Sequence, residues 1–221
     1  LETSYMTVFR ASKRLLLKLN QPIAELQGRV EIDEVYQTAG LKGRNNSSLI
    51  KLLGRKPRRR GLRRRGRGTY EEDKVPVLAF IERGGRMLIT AAKNVTEETI
   101  LALAKPRIKP GSIAYTDNFT SYKILSNLYR HEAVNHSIGE YARGEVHINT
   151  CEGEFSIFRP FMAVHRGVAK CNMPLYTSLY QLHRETRRMK AIPALEHTVK
   201  AILLLLLQKI LVKPHTNNIL I

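Results

Sequence analysis

The chain is short of acids. Across 221 residues, 19 Asp and Glu stand against 37 Lys and Arg, a formal net charge of +18. That excess goes far beyond what solubility requires, and a polyanionic partner is its default explanation. Cysteine is scarce too. Cys151 and Cys171 make no disulfide framework, which fits a cytosolic setting, and without a Cys-x-x-Cys pair or clustered histidines a zinc site has little support. The candidate membrane anchor, Ala201 to Leu207, meets Gln208 and Lys209 well short of the roughly 20 apolar residues a spanning helix needs. No membrane partner is therefore expected, and that run is read as buried against the core or a second subunit. No secretory signal pattern, internal repeat or Gly-rich Walker-type loop occurs, so nothing argues for nucleoside triphosphate hydrolysis. Apolar residues make up 43% of the chain, enough for one main domain with helical extensions.

What is present begins with charge. Between Arg55 and Arg67 lie nine positive residues and no negative ones, and without them the rest still carries +9. Such a run cannot pack on itself and needs counter-charge. Its Arg58, Arg59, Arg60, Arg63, Arg64 and Arg65 are expected to contact nucleic acid along the phosphate backbone. A solvated arm is the plainer alternative.

The pattern around this insert alternates strands and helices. Ser4 and Thr3 offer caps for a basic helix over Tyr5 to Leu19. Val30 to Tyr36 alternates, with Val30 and Ile32 facing one way and Glu31 and Asp33 the other. Val75 to Glu82 and Arg86 to Ala91 read as a hairpin around Gly84-Gly85. A helix from Thr96 to Lys105, a strand ending at Asp117, a short helix over Phe119 to Leu128 and a strand over Arg130 to Asn135 follow. Then comes a helix carrying Glu152, and beyond Gly167 helices from Pro174 to Met189 and Pro193 to Leu211, the first with a stripe of Leu175, Leu179 and Leu182. The order predicts a mixed α+β, five-stranded sheet flanked by helices. Its first and fourth strands can be neighbours, which would bring Asp33 beside Asp117.

Three acids then stand out: Asp33, Asp117 and, after 34 intervening residues, Glu152. Acids on two strands and one helix can hold two divalent metals, as phosphodiester cleavage requires. Glu34 belongs on the opposite strand face and ranks second. Glu154 turns away on the helix. Glu152, Ser156 and Arg159 share a polar face, where Arg159 is placed to meet a phosphate. Cys151, at a helix start, is expected to be more acidic than usual but to act in packing.

At these residues the chain resembles the DDE transposases of insertion sequences of the ISXO type. The matching blocks are Val30 to Glu34, Pro57 to Thr69, Tyr115-Thr116-Asp117, Val134 to Tyr141, His147 to Ser156 and His165 to Val168, spread over roughly residues 28 to 190. The resemblance implies a ribonuclease H-like core and a catalytic triad of Asp33, Asp117 and Glu152 with two Mg2+ or Mn2+ ions. It implies cleavage at the element's ends and strand transfer into target DNA, by a homo-oligomer, in a prokaryotic cytoplasm at the nucleoid. Arg159 stands where the family often has lysine. Some relatives use asparagine at the third catalytic position, and Asn149 lies close by as an accessory candidate. The family's N-terminal zinc-binding and helix-turn-helix segments are absent or cut short. Residues 1–27 are accordingly read as an N-terminal helical segment, 28–168 as the catalytic domain with the insert at 37–74, and 169–221 as a helical extension. The rival readings are a catalytically decayed or domesticated DNA-binding protein and a structural RNA-binding protein.

Overall fold

The computed structural model describes residues 4–19, 25–40, 48, 52, 71, 73–187 and 189–199. The basic run and the Leu203–Leu207 segment lie outside the described residues.

A central sheet is built from β1 (Arg29–Thr38), β2 (Lys74–Glu82), β3 (Met87–Ala91), β4 (Ile113–Asp117) and β5 (Arg130–Val134), in the order β3-β2-β1-β4-β5. The first three strands are antiparallel; β4 runs parallel to β1, and β5 parallel to β4. This mixed, helix-flanked sheet is the expected ribonuclease H-like arrangement. β2 is buried almost throughout because β1 and β3 flank it and helices cover both its faces. Pro76 is tolerated because the β2–β3 ladder ends at Val77 and Ala91, so its missing N–H interrupts no strand pair. The β2–β3 turn is tightened by Gly84 in the left-handed region, at φ 71°, and closed by the Gly85 N–H donating to Glu82 O at 3.0 Å.

Strand parity sorts the core into two layers. Val30 and Ile32 of β1 join Leu78, Phe80 and Leu88 against α2 (Glu97–Ala104) and a 3-10 helix, Thr120–Asn127. Thr96 caps α2, its Oγ1 accepting from Thr99 N at 3.4 Å. The segment expected as a short helix is 3-10 because its buried residues, Tyr122 and Leu125, are three apart, the repeat of that helix. On the other face Val35, Val77, Ala79 and Ile89 meet α3 (Asn149–Val164) and α4 (Met173–Thr186). Cys151, Phe155, Phe158 and Met162 form the buried side of α3. On α4, Met173, Thr177, Tyr180 and Gln181 are buried instead of the expected Leu179 and Leu182, which are only half-covered. The Ile89 N–H, donating to Gln181 Oε1 at 3.3 Å, explains the polar member of that stripe. Residues 191–199 are helical. At the other end of the chain, α1 (Tyr5–Leu19) packs on α4, and Lys13 Nζ donates to Asn172 Oδ1 at 2.8 Å.

Between β5 and α3 the sequence conceals a small hairpin, β6 (Ala142–Arg143) and β7 (Val146–His147), turned at Gly144 with φ 60°. It takes His147 out of the helix expected to begin there, so α3 starts at Asn149.

The two sides of α3 differ enough to test. Phe158 is fully buried and meets Tyr180 edge-on at 5.0 Å between ring centroids, whereas Ile157 is exposed. Phe158→Ala is expected to cost about 3–5 kcal/mol in chemical denaturation. Ile157→Ala should stay within about 0.5 kcal/mol. Equal losses would show that α3 is rotated from this orientation.

Candidate active site

Asp33 lies on β1 with odd-numbered neighbours Glu31 and Val35, facing the layer of α3. The β1–β4 register pairs Glu31 with Tyr115. Two residues further along each strand the same offset sets Asp33 across from Asp117, at the end of β4. Tyr115, on the Asp117 side of β4, packs with Val146 and Ile148 at the start of α3, so both aspartates look toward that helix. Glu152 is in the first turn of α3, exposed. The three acids thus come from two adjacent strands and the helix that crosses their face.

Their electrostatics agree with that placement. The Asp33 carboxyl is pushed up to about 8, first by burial and then by the Glu34 charge; the Glu34 backbone N–H, 2.8 Å from Oδ1, opposes this, while Asp117 and Glu152 add to it. Among the described residues, the charges acting on it most are three acids, Glu34, Asp117 and Glu152. Asp117 is braced by the Phe119 N–H, which donates to its Oδ1 at 3.1 Å. Among the described residues, no three His, Cys, Asp or Glu side chains stand close enough to enclose a metal ion. The acids therefore form a facing cluster, not a closed cage. As a donor set they still fit a hard divalent cation: all-oxygen ligands around a half-buried carboxyl that desolvation and like charge hold protonated.

The other expected residues separate. Glu34 is on the opposite face, accepting from Tyr122 Oη at 2.6 Å, and burial foremost pushes the Tyr122 hydroxyl well above its usual range. Asn149 is exposed at the start of α3, three residues before Glu152. Arg159 is exposed on the Glu152 stripe and has no hydrogen-bond or ion-pair partner among the described residues. Glu154 turns away as expected, into an ion pair with Arg184 (2.6 and 2.8 Å). Cys151 departs from expectation. It is fully buried, and burial, followed by the charges of Asp33 and Glu31, pushes its thiol well up where a helix start alone would lower it.

The six arginines of the basic run lie outside the described residues, but the root of their insert is fixed. Ala39 N donates to Asp73 O at 2.9 Å, Gly40 N to Val168 O at 3.1 Å and Lys170 N to Gly40 O at 2.9 Å. The insert therefore leaves the sheet beside the segment that follows α3.

Sequence reading missed two residues. Glu31 was grouped with Asp33 on a half-exposed face, yet its side chain is wholly buried and paired with Arg83, Nε to Oε1 at 2.7 Å. Fifty-two positions separate them, and no local pattern links them.

Residues 25–181 match the model of the ISXO2-like transposase domain, and the chain belongs to that family. It is 41% identical over 199 residues to an uncharacterized protein in transposable element ISH50 of Halobacterium salinarum, covering 89% of this chain and 65% of that protein. An uncharacterized transposase-like protein of Haemophilus influenzae is 31% identical over 84 residues, or 38% of this chain and 68% of its own length. The chain thus spans about two thirds of the length of the first of these relatives. Among solved structures, it superposes on a chain in the cryo-EM structure of the simian T-cell lymphotropic virus intasome in complex with PP2A regulatory subunit B56 gamma. That match has 10% identity, covers 82% of this chain and 49% of that one, and has a TM-score of 0.36, too loose to carry an argument.

The Asp33 environment makes a pH prediction for the metal-free protein. A carboxyl whose folded value lies above its unfolded one contributes its full stability only below the unfolded value. That contribution is lost as pH rises through the folded value, here from about 4 to about 8. Asp33→Asn should therefore gain stability relative to wild type across that window, by an amount on the order of a few kcal/mol at its upper end. Melting temperatures of both proteins in chelator, compared along a pH series, check this. A constant gap would mean that Asp33 is not strained by its neighbours.

Proposed function

We propose that this chain is the catalytic domain of an insertion-sequence transposase that cuts DNA at its element's ends and joins the exposed 3′ hydroxyls to target DNA. The observation that carries the reading is the meeting of Asp33, Asp117 and Glu152 on one side of the sheet, in a chain of the ISXO2-like transposase family. Asp33 and Asp117 would hold divalent cations, and Glu152 would complete the second position. Bound as a pair, Mg2+ or Mn2+ neutralises charge on the phosphate under attack and activates the nucleophile. Half-buried Asp33 lies on the sheet side of the acids, while exposed Glu152 leaves the other side open to a DNA strand. Arg159 lies seven residues beyond Glu152, roughly 10 Å along the helix, and grips a phosphate adjacent to the scissile one with its planar pair of donors. The arginines between Arg58 and Arg65 hold backbone without reading sequence. Such a protein works on DNA in a prokaryotic cytoplasm, as one copy in a homo-oligomer that brings two element ends together.

Incubation with duplexes carrying the element's terminal repeats and Mg2+ tests this by the appearance of nicked ends. Asp33→Asn, Asp117→Asn and Glu152→Gln are each expected to abolish nicking while leaving duplex affinity nearly unchanged. Any one of them cutting at the wild-type rate would remove that residue from the site. Failure of the wild type to nick while still binding DNA would favour a protein that only binds.

Arg159 gives a second, graded test. Arg159→Lys should keep much of the single-turnover rate at saturating DNA, since the charge remains. Arg159→Ala should lose rate more than it loses affinity. A wild-type rate in the alanine variant would make Arg159 a surface charge and nothing more.

A further inference from the structure

The helix that carries Glu152 is capped from outside itself. Ile148 occupies its N-cap position, is 1% exposed and has no side chain able to accept a hydrogen bond. The first N–H groups of a helix need partners, and here they come from β1. Glu31 Oε2 accepts from Thr150 N at 2.8 Å and from Cys151 N at 3.2 Å, and Oε1 accepts from Thr150 Oγ1 at 2.9 Å. Arg83 Nε adds a fourth donor at 2.7 Å. Arg83 is itself held further, by His147 O at 2.9 Å, His147 Nδ1 at 3.1 Å, the Tyr115 ring at 4.5 Å and Glu145 Oε2 at 3.4 Å. Arginine can only donate, so at this contact His147 Nδ1 is the acceptor. The same Nδ1 lies 3.4 Å from Glu31 Oε1.

We propose that Glu31 is a positioning residue for the acid cluster: it locks the first turn of α3 onto β1 and, by occupying the helix N-terminus, leaves the Glu152 carboxylate free to take a cation. The inference rests on reading Asp33, Asp117 and Glu152 as the cation ligands. Two consequences of the geometry support it. Glu31 is two residues from Asp33 along one strand face, and it binds the N–H of Cys151, the residue next to Glu152. One side chain therefore fixes the elements of both acids within a residue or two of each. Secondly, an acid in the first helical turn ordinarily settles toward the unpaired N–H groups and the positive end of the helix dipole. With those of Thr150 and Cys151 already taken, and the Glu152 N–H donating to Ile148 O at 3.1 Å, the Glu152 carboxylate has no hydrogen-bond or ion-pair partner among the described residues.

The test is Mn2+ titration by calorimetry on the DNA-free protein, with melting curves and single-turnover cleavage over a range of Mn2+ concentrations. Glu31→Gln keeps size and one acceptor oxygen but removes the charge. It is expected to bind Mn2+ about 10- to 100-fold more weakly, and to cut slowly at low Mn2+ while recovering at high Mn2+. Duplex affinity in chelator should match wild type. Glu31→Asp, which keeps the charge, should restore part of the Mn2+ affinity. A folded Glu31→Gln with wild-type Mn2+ affinity overturns the proposal, as does a rate loss that added Mn2+ does not reverse. If Glu31→Gln does not fold, Thr150→Val, which deletes one of the four donors, must weaken Mn2+ binding severalfold with melting unchanged; wild-type affinity there overturns the proposal equally. Glu152→Gln, titrated in parallel, separates the levels. Wild-type Mn2+ binding by that variant removes the underlying site, whereas its loss beside an unaffected Glu31→Gln overturns only the role of Glu31.

Discussion

A single buried carboxylate, that of Glu31, joins the two halves of this fold. The sheet and the α3–α4 layer meet over apolar surface, which is non-directional and tolerates sliding. The Glu31 bonds to Thr150, Cys151 and Arg83 are directional and set the depth at which α3 begins. Their cost is desolvation of two charges, offset only because both carboxylate oxygens are saturated and Arg83 is enclosed by Tyr115 and His147. Removing one partner alone would leave an uncompensated buried charge, a loss of about 3–5 kcal/mol in comparable sites. A helix placed by packing alone could rotate by tens of degrees and still bury Phe155 and Phe158. Placed this way, it cannot do so without breaking charged hydrogen bonds.

The same logic accounts for the unequal treatment of four nearby acids. Glu31 has its counter-charge and a helix end. Glu34 receives a hydrogen bond from Tyr122, and Glu154 is neutralised by Arg184. Asp33 is half-buried with like charge around it, and desolvation first and then those charges hold its carboxyl far above its ordinary range. Among the described residues, neutralising partners stand around the acids rather than between them; under the proposed function a bound cation would supply the missing charge.

Much of this was legible from the sequence because it is written in short-range periodicity. The alternation from Val30 to Tyr36, the Gly84-Gly85 turn and the Phe155, Phe158, Met162 spacing each report their own surroundings, and the pairing of the first strand with the fourth followed from the succession of elements. Side of the sheet was legible for Asp33 and Glu34 because neighbouring strand residues must point apart. What was not legible depends on partners distant in the chain. Alternation alone left Glu31 exposed, and only the arrival of α3 buries it. Cys151 at a helix start suggested an acidic thiol, yet its burial and, after that, the neighbouring acids push the thiol up. The hairpin Ala142–His147 escaped because its strands are two residues long, too short for a period to show.

The anchoring of Gly40 and Lys170 at the root of the basic insert has a corollary for the insert's length. Thr38 pairs with Lys74 at the last rung of the β1–β2 ladder, so everything between them is, topologically, the loop of a β-hairpin. Lengthening such a loop twofold costs only about 0.6 kcal/mol of closure entropy. The strands and the Gly40–Ala169 bridge hold the two ends together whatever lies beyond. Loop-closure entropy is therefore little obstacle to a change in the insert's length, because the ladder and the bonds at its root fix both ends.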